Sequence, residues 1–327
     1  MEYFTGISRR IFKHAKYKFI EYRKVAYIIS IVVLLGGIAA FFNGFDEGVE
    51  FKGGRSYTVA FNTPAKVEAI RDELKVVFDN ESPVIKTVGN ASTLDITTAY
   101  LIDSTGQNVD DVIEQKLLGG LKNHDVKGIV GFKKVLPTIS DDLKMGAVKA
   151  TIFALIVIFL YIFIRFRDWR YSLGTIIALM HDVLVALIVF SFLKNVVPFP
   201  LEIDQHFIAA ILTVIGFSMN DTVIVFDRIR EDRKLYPTAP LGETINRAIN
   251  ETLSRTIMTS LTVFLTILIL FLVGGEVTKG FAFAMLIGVI TGTYSSIFVA
   301  APILVDLTRK KEVSVKSEPK EAPVTKS

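Results

Sequence analysis

The chain has 327 residues, of which 51% are hydrophobic and 21% charged, with a formal net charge of +4. It contains no cysteine, which excludes disulfides, thiol catalysis and thiolate metal sites. His14, His124, His181 and His206 show no zinc-ligand spacing, and there is no Walker or GxSxG motif. An enzyme, a bound metal, a cofactor and a nucleic-acid partner are therefore not expected.

Residues 1–25 are polar and basic. Phe4, Ile7, Ile11, Phe12, Ala15, Phe19 and Tyr22 share one helical face, and Arg9, Arg10, Lys13, Lys16 and Lys18 fill much of the rest. Two readings fit: an interfacial helix lying on anionic membrane lipids, or a solvated basic leader. The leader is longer than that of a secretory signal, so the apolar run behind it reads as an uncleaved span.

A bilayer core of ~30 Å needs ~20 apolar residues in a helix. Six runs approach that length: 26–43, 146–164, 173–193, 207–226, 256–273 and 281–305. Basic residues crowd the leader, the stretch with Arg165, Arg167 and Arg170, the stretch with Arg228, Arg230, Arg233 and Lys234, and the tail with Arg309, Lys310 and Lys311. All fall on one side of a six-span layout, so the positive-inside rule places both termini in the cytoplasm.

The region 44–140 is then extracytoplasmic. Alternation predicts strands at 55–61, 84–88, 93–101 and 128–136, with a turn at Gly89-Asn90. Apolar spacing predicts helices at 64–78, starting near Pro64, and 108–122. The order βαββαβ suggests a ferredoxin-like α+β domain. A five-span bundle over 141–307 follows, and 308–327, with little apolar content, is expected to be a disordered cytoplasmic tail.

Ionisable groups at membrane depth cost ~2.5–3.5 kcal/mol on insertion scales. Asp221 lies seven residues before Arg228, ~10 Å inside the boundary at ~1.5 Å per residue. Asn220 and Thr222 flank it, and Ser218 lies on the same face. Arg255, at the start of the fifth span, is its candidate partner. The pair reads either as a proton-coupled switch, since burial and a mobile cation push a carboxyl in opposite directions, or as a static link between helices. His181-Asp182, near the centre of the third span, reads as part of a proton path or as structural pairing. Asp227 and Arg228 read as surface anchors. Gly288, Gly292 and Ser296 recur at intervals of four, a spacing for close helix packing. Thr256, Thr259, Ser260, Thr262 and Thr266 either line a hydrated path or bond to their own backbone.

The run GFSMNDTVIVFDRIRE resembles the SecF branch of the bacterial SecDF export family, in the RND superfamily, and the resemblance covers residues 26–307. GVEFKGG (48–54), containing Glu50, Gly53 and Gly54, resembles that family's GxDFxGG motif, with Glu50 where the family has Asp. The longer side chain puts a tight carboxylate-capped turn in doubt. MHDV (180–183), LSRTIMTS (253–260) and GTYSSIFVA (292–300) match further spans. The resemblance implies an inner-membrane subunit that partners SecD, fused or separate, with the SecYEG translocon and YajC. It implies use of the proton-motive force to pull preproteins across, with Asp221 and Arg255 as the coupling pair. A non-motor scaffold and a small-molecule RND exporter are the competing functions.

Overall fold

Lipid offers no hydrogen bonds to a backbone, so apolar runs of this length satisfy their own amides as helices. The computed structural model describes residues 17–88, 92–102, 104, 108–194, 196–197 and 199–316. Among these, six helices are long and apolar enough to cross a membrane. Most of the basic leader and the Gly89-Asn90 turn lie outside the described residues. Where the leader is described, residues 19–22 form a turn rather than a continuing helix.

In chain order, helix α1 (Arg23–Asn43) leads to a short strand β1 (Asp46–Glu47) and one helical turn, α2 (Val49–Lys52). The inserted domain follows as β2 (Gly54–Phe61), α3 (Val67–Val77), β3 (Val84–Thr87), β4 (Thr93–Thr98), α4 (Val109–Gly120) and β5 (Val126–Val135). The bundle continues with α5 (Pro137–Phe166), α6 (Trp169–Leu193), a strand β6 (Glu202–Ile203), α7 (Gln205–Leu235), α8 (Leu241–Val273) and α9 (Glu276–Ser295). A π-helical turn, Ser296–Ala300, joins α9 to α10 (Ala301–Lys316). The helix thus runs past the boundary expected at residue 307. The helix expected from Pro64 begins instead at Val67, after an extended Lys66.

The domain sheet has the order β3-β4-β2-β5 with every pairing antiparallel. The βαββαβ succession is as expected. Alternate residues of β2 and β4 (Tyr57, Val59, Phe61, Leu94 and Ile96) face Ile70 and Leu74 of α3 and Ile113 and Leu117 of α4 in one buried core. Arg55, buried at the end of that row, is held by Asp110 of α4 at 2.5 Å.

In the bundle, α6, α7 and α9 are the inner helices. Packing of α9 on α7 is set by three rungs one turn apart. A Cβ on Gly288 would lie 2.1 Å from Val214 Cγ2, and one on Gly292 would lie 2.9 Å from Ser218 Cβ. At the third rung Ser296 Oγ meets Thr222 Oγ1 at 2.9 Å. The spacing read as a packing face is that face. The outer helices expose apolar flanks, including Ile28 and Val32 of α1, Ile152 and Phe153 of α5, and Ile269 and Leu272 of α8.

Gly288→Ala is expected to destabilise the bundle by ~1–3 kcal/mol through overpacking. Val214→Ala on the same chain should recover most of the loss. Thermal unfolding in detergent checks this; an unchanged midpoint in the single variant refutes the rung.

Candidate functional site

Asp221 sits midway along α7 and is fully buried. Its Oδ2 accepts a hydrogen bond from Ser260 Oγ of α8 at 3.2 Å. Its Oδ1 is buried without a hydrogen-bond partner. Ser260 in turn accepts from Thr293 Oγ1 of α9 at 2.7 Å. The carboxyl therefore stands at the junction of α7, α8 and α9, met by one hydroxyl with a second behind it. Arg255 forms no ion pair with it among the described residues and is exposed. Arg255 and Ser260 are five positions apart, which at 3.6 residues per turn turns the two about 140° from each other. Ser260, and not Arg255, is the α8 residue hydrogen-bonded to Asp221.

The neighbours of Asp221 divide by the same geometry. Asn220 is exposed and is not part of the buried cluster. Thr222 is buried but serves the adjoining seam, donating to the Ser218 carbonyl at 3.1 Å and meeting Ser296. Of the α8 hydroxyls, Thr259, Thr262 and Thr266 bond to carbonyls one turn back. Thr256 Oγ1 is buried without a partner. Ser260 is the one that reaches a carboxylate.

Asp182 of α6 makes a second buried node. Ser218 Oγ donates to its Oδ2 at 2.7 Å and Ser295 Oγ donates to the same atom at 2.8 Å. His181 Nδ1 lies 3.3 Å from Oδ1, and the His181 ring lies 5.9 Å from that of Tyr294. Adjacent helical residues diverge, yet the two side chains of this pair come within contact distance. One carboxylate thus ties α6, α7 and α9 together. Ser218 belongs to this node and not to Asp221.

Asp227 pairs with Arg165 at 2.6 Å, both partly exposed, as an anchor at the bundle rim. A buried carboxylate that the sequence reading overlooked is close by. Asp232 is fully buried; Arg247 Nε of α8 donates to it at 2.9 Å, and Arg228 lies at 3.3 Å. Arg228 also pairs with Glu231 and Glu251. The i, i+4 spacing of Arg228 and Asp232 is legible in the sequence, but Arg247 comes from the next helix.

The GVEFKGG motif joins domain to bundle. Gly53 and Gly54 have φ of +77° and +137°, and a Cβ on Gly54 would lie 2.6 Å from the Thr98 carbonyl oxygen. These positions require glycine. Glu50 is not the N-cap, which is Gly48 without a side-chain bond; the Glu50 carboxylate accepts from its own backbone amide in the first turn. The longer Glu50 also reaches Lys133 of β5 at 2.9 Å. Burial acts to raise its pKa, but the hydrogen bonds from Lys133 and from its own backbone amide, with the charges of Lys133 and Lys86, outweigh it and hold the carboxyl below its ordinary 4.5. Beside it β1 pairs with β6 in parallel, the Gly48 amide donates to the Ile203 carbonyl at 3.0 Å, and Lys86 of β3 pairs with buried Glu202 at 2.9 Å.

Comparison with known proteins bears on this arrangement. Residues 118–310 match the family model described as protein export membrane protein SecD/SecF, C-terminal, and residues 38–65 match the SecD/SecF GG motif. The chain belongs to the SecD/SecF family. It is 44% identical over 300 residues to the protein translocase subunit SecF of Rhodothermus marinus, covering 91% of this chain and 95% of that one. It is 36% identical over 301 residues to that of Haemophilus influenzae, covering 90% and 87%. The crystal structure of SecDF from Thermus thermophilus, described as a translocon-associated membrane protein, superposes with a TM-score of 0.73 at 33% identity. That match covers 90% of this chain but only 39% of the SecDF chain. The chain is a multi-pass membrane protein with the helical half of an RND-type fold.

Asp182→Ala is expected to cost about 1–3 kcal/mol, because Ser218 and Ser295 lose a buried acceptor. Denaturant unfolding in mixed micelles measures it, and no loss would refute the node. A second expectation concerns pH. A carboxyl held below its ordinary value stabilises the folded state above about pH 4.5 and loses that contribution as pH falls through its folded value. Hydrogen-exchange protection across residues 48–54 should fall on acidification in the native chain. In Glu50→Gln it should already be low at neutral pH and change little further.

Proposed function

We propose that this chain is the SecF-type half of a proton-driven export machine in a bacterial inner membrane. It does no bond-making chemistry. It works with a SecD half, fused or separate, and with the SecYEG channel and YajC, moving preproteins across and releasing them on the far side. One observation carries the reading: a fully buried carboxyl, Asp221, met by a single hydroxyl donor and with its other oxygen unpartnered. A structural link would satisfy both oxygens, as Asp182 does through three groups. A group that must gain and release a proton needs one face uncommitted. Arg255, exposed on the facing helix, is the mobile cation that approaches when the carboxyl ionises. One charge moved through 100 mV releases ~2.3 kcal/mol, enough to bias a two-state helix arrangement.

The sidedness follows from charge. Arg165, Arg170, Arg228, Arg230 and Arg247 gather at one end of the bundle, where Arg170 meets Thr308 and Arg23 meets Asp306. By the positive-inside rule that end is cytoplasmic, so both termini lie in the cytoplasm and the α+β domain lies outside. There it can meet an emerging polypeptide.

Asp221→Asn should assemble normally and lose most proton-dependent export in vesicles that hold the complete complex and the channel, under an imposed proton gradient. Full export by this variant refutes the motor and leaves a translocon scaffold. Proton-coupled efflux of small dyes by the native chain would favour an exporter instead.

A further inference from the structure

The hydroxyls around Asp221 carry an assignment of their own, which rests on the coupling role proposed above. Ser260 Oγ owns one proton and has two acceptors in reach, Asp221 Oδ2 at 3.2 Å and the Thr256 carbonyl at 2.8 Å. Thr293 Oγ1 also has two, Ser260 Oγ at 2.7 Å and the Val289 carbonyl at 2.9 Å. Each hydroxyl can face along the chain toward the carboxyl or back onto its own helix.

The state of Asp221 decides which. An ionised carboxylate only accepts hydrogen bonds, whereas a protonated one also donates. With Asp221 ionised, Ser260 gives its proton to the carboxylate and Thr293 gives its proton to Ser260. With Asp221 protonated and donating to Ser260, the serine proton turns to the Thr256 carbonyl and the threonine proton turns to the Val289 carbonyl. The first arrangement links α7, α8 and α9 through side chains; in the second, each hydroxyl satisfies its own helix. No covalent bond to either hydroxyl is made or broken.

We propose that Ser260 and Thr293 are positioning residues for Asp221, a two-hydroxyl chain that holds the ionised carboxylate and lets go of it when the carboxyl takes a proton. Ser260 is buried and Thr293 half-buried, so the chain runs from the buried acid toward the flank of the bundle. The charged and titratable groups around it are few. Arg255 lies on α8, and Asp227 and Arg228 lie almost two turns farther along α7. On α9 the nearest is Tyr294, whose hydroxyl donates to the Ala26 carbonyl at 3.1 Å. On α6 His181 and Asp182 are already engaged with each other and with Ser218 and Ser295.

The test uses the full chain with its partner half in vesicles. Proton-driven export is read alongside the infrared stretching band of the protonated Asp221 carboxyl, assigned by its disappearance in Asp221→Asn. Ser260→Ala is expected to lower export about tenfold, the scale of one hydrogen bond to a charged group, and to shift the carboxyl band. Ser260→Thr, which restores the hydroxyl, should recover both. Thr293→Val should move the band less, with recovery in Thr293→Ser. An unchanged band and unchanged export in Ser260→Ala overturn the assignment. If Ser260→Ala lowers thermal stability, the Thr293 pair supplies the same reading on a partly exposed side chain. Export surviving in Asp221→Asn would defeat the coupling role itself, and the position of the band in Ser260→Ala with Asp221 intact would still decide whether the hydroxyls hold the carboxyl.

Discussion

A hydroxyl donating to a carboxylate inside a helix bundle is the interaction on which the membrane half depends. Two acids are placed where neither water nor lipid can solvate them, and an isolated charge in such surroundings is costly. Serine and threonine meet this requirement without adding another charge. Asp182 receives Ser218 and Ser295, while Asp221 receives Ser260 backed by Thr293. The two nodes lie on neighbouring seams of α7 and differ in completeness: one is saturated and the other is not.

Hydroxyls are short, so the helices that bear them must come close. The glycines of α9 make this possible. Where Gly288 and Gly292 face Val214 and Ser218, the backbones approach until no Cβ fits between them. That approach carries Ser295 and Ser296 into reach of Asp182 and Thr222 on successive residues. Packing and polar chemistry are therefore one arrangement here, and a change that separates α7 from α9 would open both nodes.

Much of this was legible in the sequence. Spans follow from the length of apolar runs, and the domain's strands follow from alternation, because each signal comes from residues a few positions apart. Asp221 stood out because a charge inside an apolar run has few explanations. The partners of the acids were harder to find. Ser260 and Thr293 lie 39 and 72 positions from Asp221, and hydroxyls in membrane helices commonly bond to their own backbone, as Thr259, Thr262 and Thr266 do. Asn220 is adjacent to Asp221 in sequence but about 100° away around the helix, and proximity in sequence misled. Asp232 escaped notice since DRIRED reads as a solvated helix end until Arg247 arrives from α8. The pairing of β1 with β6 joins strands of only two residues, too short to leave a pattern.

The π-helical turn between α9 and α10 sets the angular phase of everything that follows it. A wide turn accommodates one more residue than an α-helical turn, so tightening it to ordinary α-geometry would rotate the downstream helix by about 100°. Asp306, which now accepts from Arg23 Nε at 3.1 Å and from the Tyr27 hydroxyl at 3.0 Å, would swing off α1. The last helix is thus a dial with its stop on the first, and the serines that clasp the inner carboxylate and Thr222 stand at its pivot.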